Sequence, residues 1–106
     1  MATVKETMDQ MATRFKPERA QGVSAVIQYE ISGEGGGTWH ATVKDGSCSV
    51  VVGAAASPTL TLTMTAQDWL DMIAGKLSGQ MAFMQGKLKL KGDMGLAMKI
   101  SPMFGV

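Results

Sequence analysis

Residues 81–100 read M-A-F-M-Q-G-K-L-K-L-K-G-D-M-G-L-A-M-K-I, and three patterns follow one another inside that stretch. It begins as a short apolar turn, with a helical piece predicted over 78–85 and bounded by Gly86. It becomes a two-residue alternation at 87–91, which predicts a strand with Leu88 and Leu90 on one side and Lys87, Lys89 and Lys91 on the other. Asp93 then stands where a helix cap belongs, and a Met-rich helix is expected from Met94 to about Ile100, with Pro102 ending it. A strand with one greasy face, followed by a helix greasy nearly all round, is the wall of an apolar compartment.

Working outward, the same two periods account for the rest of the chain. Thr3 and Glu6 form a capping box. Val4, Met8, Met11, Ala12 and Phe15 follow at helical spacing, so a first amphipathic helix is expected to end before Pro17. Val23, Ala25, Ile27, Tyr29 and Ile31 alternate with polar residues, which predicts a long half-buried strand. The Gly-rich segment 33–37 is a hairpin loop, and Trp39, Ala41 and Val43 mark a second strand. Asp45-Gly46 predicts a type I′ turn, so a third strand is expected over 47–52. Residues 53–58 connect it to a fourth strand over 59–65, T-L-T-L-T-M-T, and that connection is long enough for a crossover. Thr65 caps a second long helix, with Trp69, Met72, Ile73 and Leu77 on its apolar stripe and Gly75 as its stop. Every strand has one polar face, and helices on both faces would need apolar residues on both. The expectation is an α+β domain over residues 1–106, with one five-stranded sheet open to water on one side and amphipathic helices covering the other.

Composition narrows the function. A chain of 106 residues, 45% apolar and 18% charged, builds one globular core, and its ten Met are the outlier. No run of about 18 apolar residues spans a membrane, and the first residues carry no apolar signal core. A single cysteine cannot form an internal disulfide, so a reducing, cytoplasmic setting is expected. The net charge of +1 hides an asymmetry: from Lys76 onward there are five Lys and one Asp.

Candidate chemistry is sparse. His40, the one histidine, sits on the polar side of a strand with no nucleophile paired to it, and an exposed surface position is expected. Cys48 alternates in phase with Val50 and Val52, which predicts a buried, inert thiol. One His and one Cys cannot make an all-protein zinc site. Asp68 and Asp71 are explained by the helix dipole. The Gly-rich loop leads into a strand, whereas a phosphate loop needs a helix N-terminus. Lys87, Lys89 and Lys91 lack interleaved aromatics, so no nucleic-acid binding is expected. No catalytic residue, metal or cofactor is expected. The methionines suit either an adaptable ligand cavity or a loosely specified core.

The residues 33–39 (G-E-G-G-G-T-W), Asp45-Gly46, the strand 59–65 with its helix, and above all G-K-L-K and K-G-D-M-G-L-A-M-K within 86–99 resemble the sterol carrier protein type 2 family over nearly the whole chain. The resemblance implies a mixed five-stranded sheet with helices on one face and an apolar tunnel between them. It implies non-enzymatic binding of a sterol, fatty acid or acyl-CoA ester. It implies that Trp69, Ile73, Met81, Phe83, Met84, Leu88, Leu90, Met94, Leu96, Met98 and Phe104 line or border the tunnel. Peroxisomal members run further and end in a targeting tripeptide; ending at Val106 argues against that import and for a more open tunnel mouth. The lysines 87, 89, 91 and 99 imply transient contact with an anionic membrane, and the chain is expected as a monomer or weak homodimer. The alternatives are an interaction or dimerisation module, or a lipid-presenting accessory domain of a larger enzyme system.

Overall fold

Caps and turns set the elements before packing decides anything. In the computed structural model Thr3 Oγ1 accepts the Glu6 amide and opens α1 (Val4–Asp9). A short α2 (Met11–Arg14) and a 3-10 turn (Pro17–Arg19) follow. Three strands come next, β1 (Ala25–Ser32), β2 (Gly37–Lys44) and β3 (Ser47–Val52). After β4 (Leu60–Thr65), Thr65 Oγ1 accepts the Asp68 amide at 3.2 Å and caps α3 (Ala66–Ile73). The chain closes with α4 (Gly79–Met84), β5 (Lys89–Gly92) and α5 (Met94–Phe104). The structure describes residues 3–104, without the side chains at 101, 102 and 104.

The tight hairpin between β2 and β3 turns on Asp45 and Gly46, whose φ of 53° and 75° are the two positive values a type I′ turn needs. The sheet order is β3-β2-β1-β4-β5. All neighbours are antiparallel except β1 and β4, which run parallel with Tyr29 opposite Leu62. This is the mixed five-stranded sheet of an α+β fold, as expected.

Alternation then sorts the side chains. Ile27, Tyr29 and Ile31 of β1, Trp39, Ala41 and Val43 of β2, and Leu60, Leu62 and Met64 of β4 are all buried. They share one core with Val4, Met8 and Met11 from the N-terminal helices, Trp69 and Met72 from α3, and Leu96, Ile100 and Met103 from α5. The N- and C-terminal pieces are tied where the Lys16 amide donates to the Met103 carbonyl at 2.7 Å.

Four local expectations change. The first helix is divided at Gln10, whose amide is shared between the carbonyls of Glu6 and Thr7; the halves keep one buried side, and Ala12 falls on the exposed one. Pro102 does not end the last helix, which runs on to Phe104, because one missing amide in a final turn removes a single bond. His40 is half-buried, and its Nδ1 lies 2.8 Å from the Gly53 carbonyl oxygen. Cys48 and Val50 are half-buried while Val52 is 71% exposed, because β3 is an edge strand that the helices only partly cover.

The polar face is also less open than its sequence suggests. The connection from β3 to β4 must pass β2 and β1, and residues 53–59 cross that face as a strap. Gln28 Oε1 accepts the Ala55 amide at 2.9 Å, and Thr59 exchanges bonds with Val26. Gln28 is consequently buried, and its Nε2 donates to Glu30 at 2.7 Å.

Candidate functional site

The stretch 81–100 forms the two elements flanking the edge strand β5 and the strand itself. Ser78 Oγ accepts the Met81 amide at 3.1 Å and starts α4. Gly86, at φ 75°, stops it: the Gly86 amide donates to Phe83 and the Lys87 amide to Ala82, the paired bonds of a Schellman motif. A helix of six residues has room to bury one small side, and Ala82 is that side, fully buried. Its larger neighbours are left outside: Met81 is 48% exposed, Phe83 51% and Met84 73%.

The last helix divides the same way. Asp93 Oδ1 accepts the Leu96 amide at 3.1 Å and caps it. Leu96, Ile100 and Met103 then face the core, at spacings of four and three. Met94 and Met98, four apart, form a second stripe on the outside, 46% and 82% exposed. Between the helices, Leu88 is buried and Leu90 half-buried, while Lys87, Lys89, Lys91 and Lys99 are exposed.

The residues expected along a tunnel therefore fall into two groups. Trp69, Leu88 and Leu96 are interior, with Ile73 and Leu90 at its margin; Met81, Phe83, Met84, Met94 and Met98 are at the surface. The side chain of Phe104 lies outside the described residues. A recess of about 250 Å³ runs past Thr7, Leu70, Ile73 and Lys76, and Ile73 is the expected residue it includes. Another, of about 350 Å³, lies beside Pro17, Val23 and Gly46.

The interior holds polar atoms that the sequence reading passed over. The Trp69 indole N–H donates to Thr7 Oγ1 at 2.7 Å, and the Thr7 hydroxyl in turn donates a hydrogen bond to the Val4 carbonyl at 2.7 Å. This relay ties α3 to α1 through a buried pair. Tyr29 lies edge-on to the Trp69 ring, with centroids 5.4 Å apart. Yet Tyr29 Oη and Trp39 Nε1, both buried, have no hydrogen-bond partner among the described residues. Each such orphan costs roughly 1–3 kcal/mol. The signal was available: alternation turns both residues inward, and both carry a donor that an apolar face must satisfy.

Burial displaces two titratable groups. Burial pushes the Cys48 thiol up to about 11, so it is a poor nucleophile at neutral pH. Burial, with a smaller contribution from Cys48, raises the Tyr29 hydroxyl above its ordinary value. Among the described residues no three His, Cys, Asp or Glu gather as a metal site, and no helix is long and apolar enough to cross a membrane.

Known proteins match this arrangement. The model of the SCP-2 sterol transfer family matches residues 5–105. Hydroxysteroid dehydrogenase-like protein 2 of Xenopus tropicalis is 34% identical over 103 residues, which is 96% of this chain and 25% of that protein. The chain thus spans about a quarter of the length of the relative it matches. The solution structure of palmitated SCP2L2 from Aedes aegypti superposes with a TM-score of 0.82 at 28% identity, over 97% of this chain and 95% of that one. The crystal structure of sterol carrier protein 2 like 2 from the same species gives 0.77 at 30% identity, over 92% and 94%.

Proposed function

The chain belongs to the SCP-2 sterol transfer family, and on that premise we propose that it is a non-enzymatic cytoplasmic lipid carrier, a single lipid-binding domain that takes an apolar ligand between its helix layer and its sheet. The observation that carries this reading is the exposed apolar surface beside β5. Met81, Phe83, Met84, Met94 and Met98 lie outside on α4 and α5, while Leu88 and Leu96 on the same segment face inward. Large apolar side chains grouped on a surface mark a binding surface, and unbranched Met adapts to ligands of different shape. The segment therefore sets apolar side chains both at the surface and in the core, with Leu90 at the margin between them. A relative in this fold is described as palmitated, which supports an acyl chain as one class of ligand, with sterols and acyl-CoA esters as others.

The lysines at 87, 89, 91 and 99 surround the same segment, and we assign them the contact with an anionic membrane from which ligand is loaded. Affinity should follow apolar surface removed from water: each added methylene strengthens binding about fourfold. Native mass spectrometry after gentle purification should reveal a copurifying lipid, and a fluorescent fatty acid should bind and be displaced by longer acyl chains. A clean ligand-free mass together with no fluorescent binding would remove the carrier reading. Met84→Lys tests the segment itself: uptake should be lost in a chain that still melts cooperatively, and unchanged uptake removes Met84 from the binding surface.

A second reading is favoured by the coverage of the relatives. The chain spans 25% of a protein described as dehydrogenase-like, so the same domain can serve to present a lipid to a catalytic partner. Steady-state turnover of such a partner on lipid substrate, with and without this chain, separates presentation from carriage.

A further inference from the structure

The exposed large apolar side chains of the described residues fall in two places. Met81, Phe83, Met84, Met94 and Met98 belong to the segment already described, while Val51 and Val52 lie on β3, 50% and 71% exposed. β3 is one end of the sheet and β5 the other, and the two ends are built differently. β5 carries Lys89 and Lys91, and lysines along an edge guard it against further pairing. β3 reads S-C-S-V-V-V over Ser47–Val52, with no charge, no proline and no break in its register. A β-branched, uncharged edge of that kind is a template for another strand.

The register shows which backbone groups of that edge are free. In an antiparallel pair, alternate residues exchange hydrogen bonds with the partner strand, and those between them turn their groups outward. The Gly53 amide donates to the Thr38 carbonyl at 2.9 Å, and Lys44 opposite Ser47 flanks the two-residue turn at the other end. Both markers place the bonded positions at Ser47, Ser49, Val51 and Gly53. The amides and carbonyls of Cys48, Val50 and Val52 therefore point away from β2, where no further strand of the described residues lies. Their side chains stand opposite Val43, Ala41 and Trp39, on the core-facing side of the sheet.

We propose that the β3 edge is a self-pairing surface, and that its partner is β3 of a second copy, antiparallel about a two-fold axis at Val50. The free groups select this partner. They are spaced evenly about Val50, so a reversed copy meets them residue for residue, Val50 with Val50 and Cys48 with Val52 in both directions. Each opposed pair exchanges two backbone hydrogen bonds. Directly opposed side chains share a face, so the apolar row of Cys48, Val50 and Val52 meets the same row reversed, and Ser49 meets Val51 on the other face. No charge faces a charge, whereas β5 paired on itself would set lysine against lysine. The pairing uses the unguarded edge of each copy and closes at two. The contact is one strand wide and about 20 Å long, at the small end of specific interfaces, so the dimer forms at micromolar concentrations or above. The segment of α4, β5 and α5 stays at the outer ends of the joined sheet, and the pairing is independent of whether a lipid is carried.

Sedimentation of the wild type should show a mass that rises from one chain toward two between micromolar and millimolar concentration. Cross-linking reads the register. Val52→Cys places a thiol opposite Cys48 of the second copy, where a bonded antiparallel pair holds its Cα atoms about 5.5 Å apart, within disulfide reach. Within one chain the same two positions are about 14 Å apart along the strand and cannot bridge. Mild oxidation of Val52→Cys should therefore give a covalent dimer on a non-reducing gel, while wild type and the double variant Cys48→Ser with Val52→Cys stay single chains. Val52→Pro removes an outward amide and takes no bond from β2, so it should melt as the dilute wild type does and dimerise about tenfold more weakly. A wild-type mass of one chain at every concentration would overturn the proposal. So would a covalent dimer of the double variant, or a dimer that Met98→Ser dissolves and Val52→Pro leaves intact. If Val52→Pro does not fold, the cross-linking pattern decides alone.

Discussion

Thr7 is a polar residue on the buried side of α1, and its hydroxyl accepts the Trp69 indole N–H at 2.7 Å. Thr7→Val keeps the shape and strands that indole N–H, so chemical denaturation should show a loss of about 1–3 kcal/mol, while Thr7→Ser should retain most of the stability. The cysteine carries a pH prediction. Its thiol is raised from 9.0 to about 11 because burial disfavours the thiolate. The unfolded chain therefore loses that proton first on the way up. Stability from this group is fully present below about pH 9 and is lost as pH rises toward 11. Alkylation of the folded protein should be slow at pH 8 and climb over the same interval, and Cys48→Ser should flatten that part of the stability profile. Alternation alone turned Cys48 toward the helices; that it is only half-buried was not legible, because edge position depends on which strand the chain places beside β3. The inward turn of Tyr29 and Trp39 was legible residue by residue, but their lack of partners depends on what the helices bring above them.

At the scale of elements, Gly92 is where β5 must end and α5 begin. Its φ is 119°, and a Cβ there would press on the Thr59 carbonyl oxygen. The same oxygen accepts the Asp93 amide at 3.1 Å, immediately before Asp93 caps α5. Gly92→Ala should therefore cost more than about 1 kcal/mol and lower the melting temperature, whereas Gly53→Ala, with open space around its Cβ, should cost less. Caps, turns and alternating strands were readable because each is decided within a few residues: Thr65 with Asp68, Asp45 with Gly46, Gly75 and Gly86 at their helix ends. The division of the first helix at Gln10 was not, since no Pro or Gly stands there. The outward turn of Met94 and Met98 was not readable either. A helix apolar all round says that both sides are greasy and leaves open which one meets the sheet.

For the whole molecule, the charge asymmetry and the exposed methionines lie on one segment. Four exposed lysines there, each worth about 1 kcal/mol near an anionic surface, should bring the protein onto vesicles rich in acidic lipid and release it as salt rises. Lys87→Glu with Lys99→Glu should lower that association more than tenfold in a flotation assay, and Met98→Ser should weaken it with little change in salt dependence. The strap over the polar face has its own consequence, one of timing. β1, β2 and β3 form a meander joined by two short hairpins, and each can pair with its neighbour as soon as it exists. The parallel pairing of β1 with β4 cannot: residues 53–59 must first be laid across β2 and β1, and they have little length to spare for a crossing of three inter-strand spacings, about 14 Å, as well as a return along the strands. Bonds from Gln28, His40, Val26 and Thr59 hold that crossing in place. The meander is thus the template on which the remaining two strands are added. In pulsed hydrogen exchange during refolding, amides of β1 and β2 should become protected before those of β4 and β5. The segment to which we assign lipid binding, α4, β5 and α5, is then the last part of the protein to come into being.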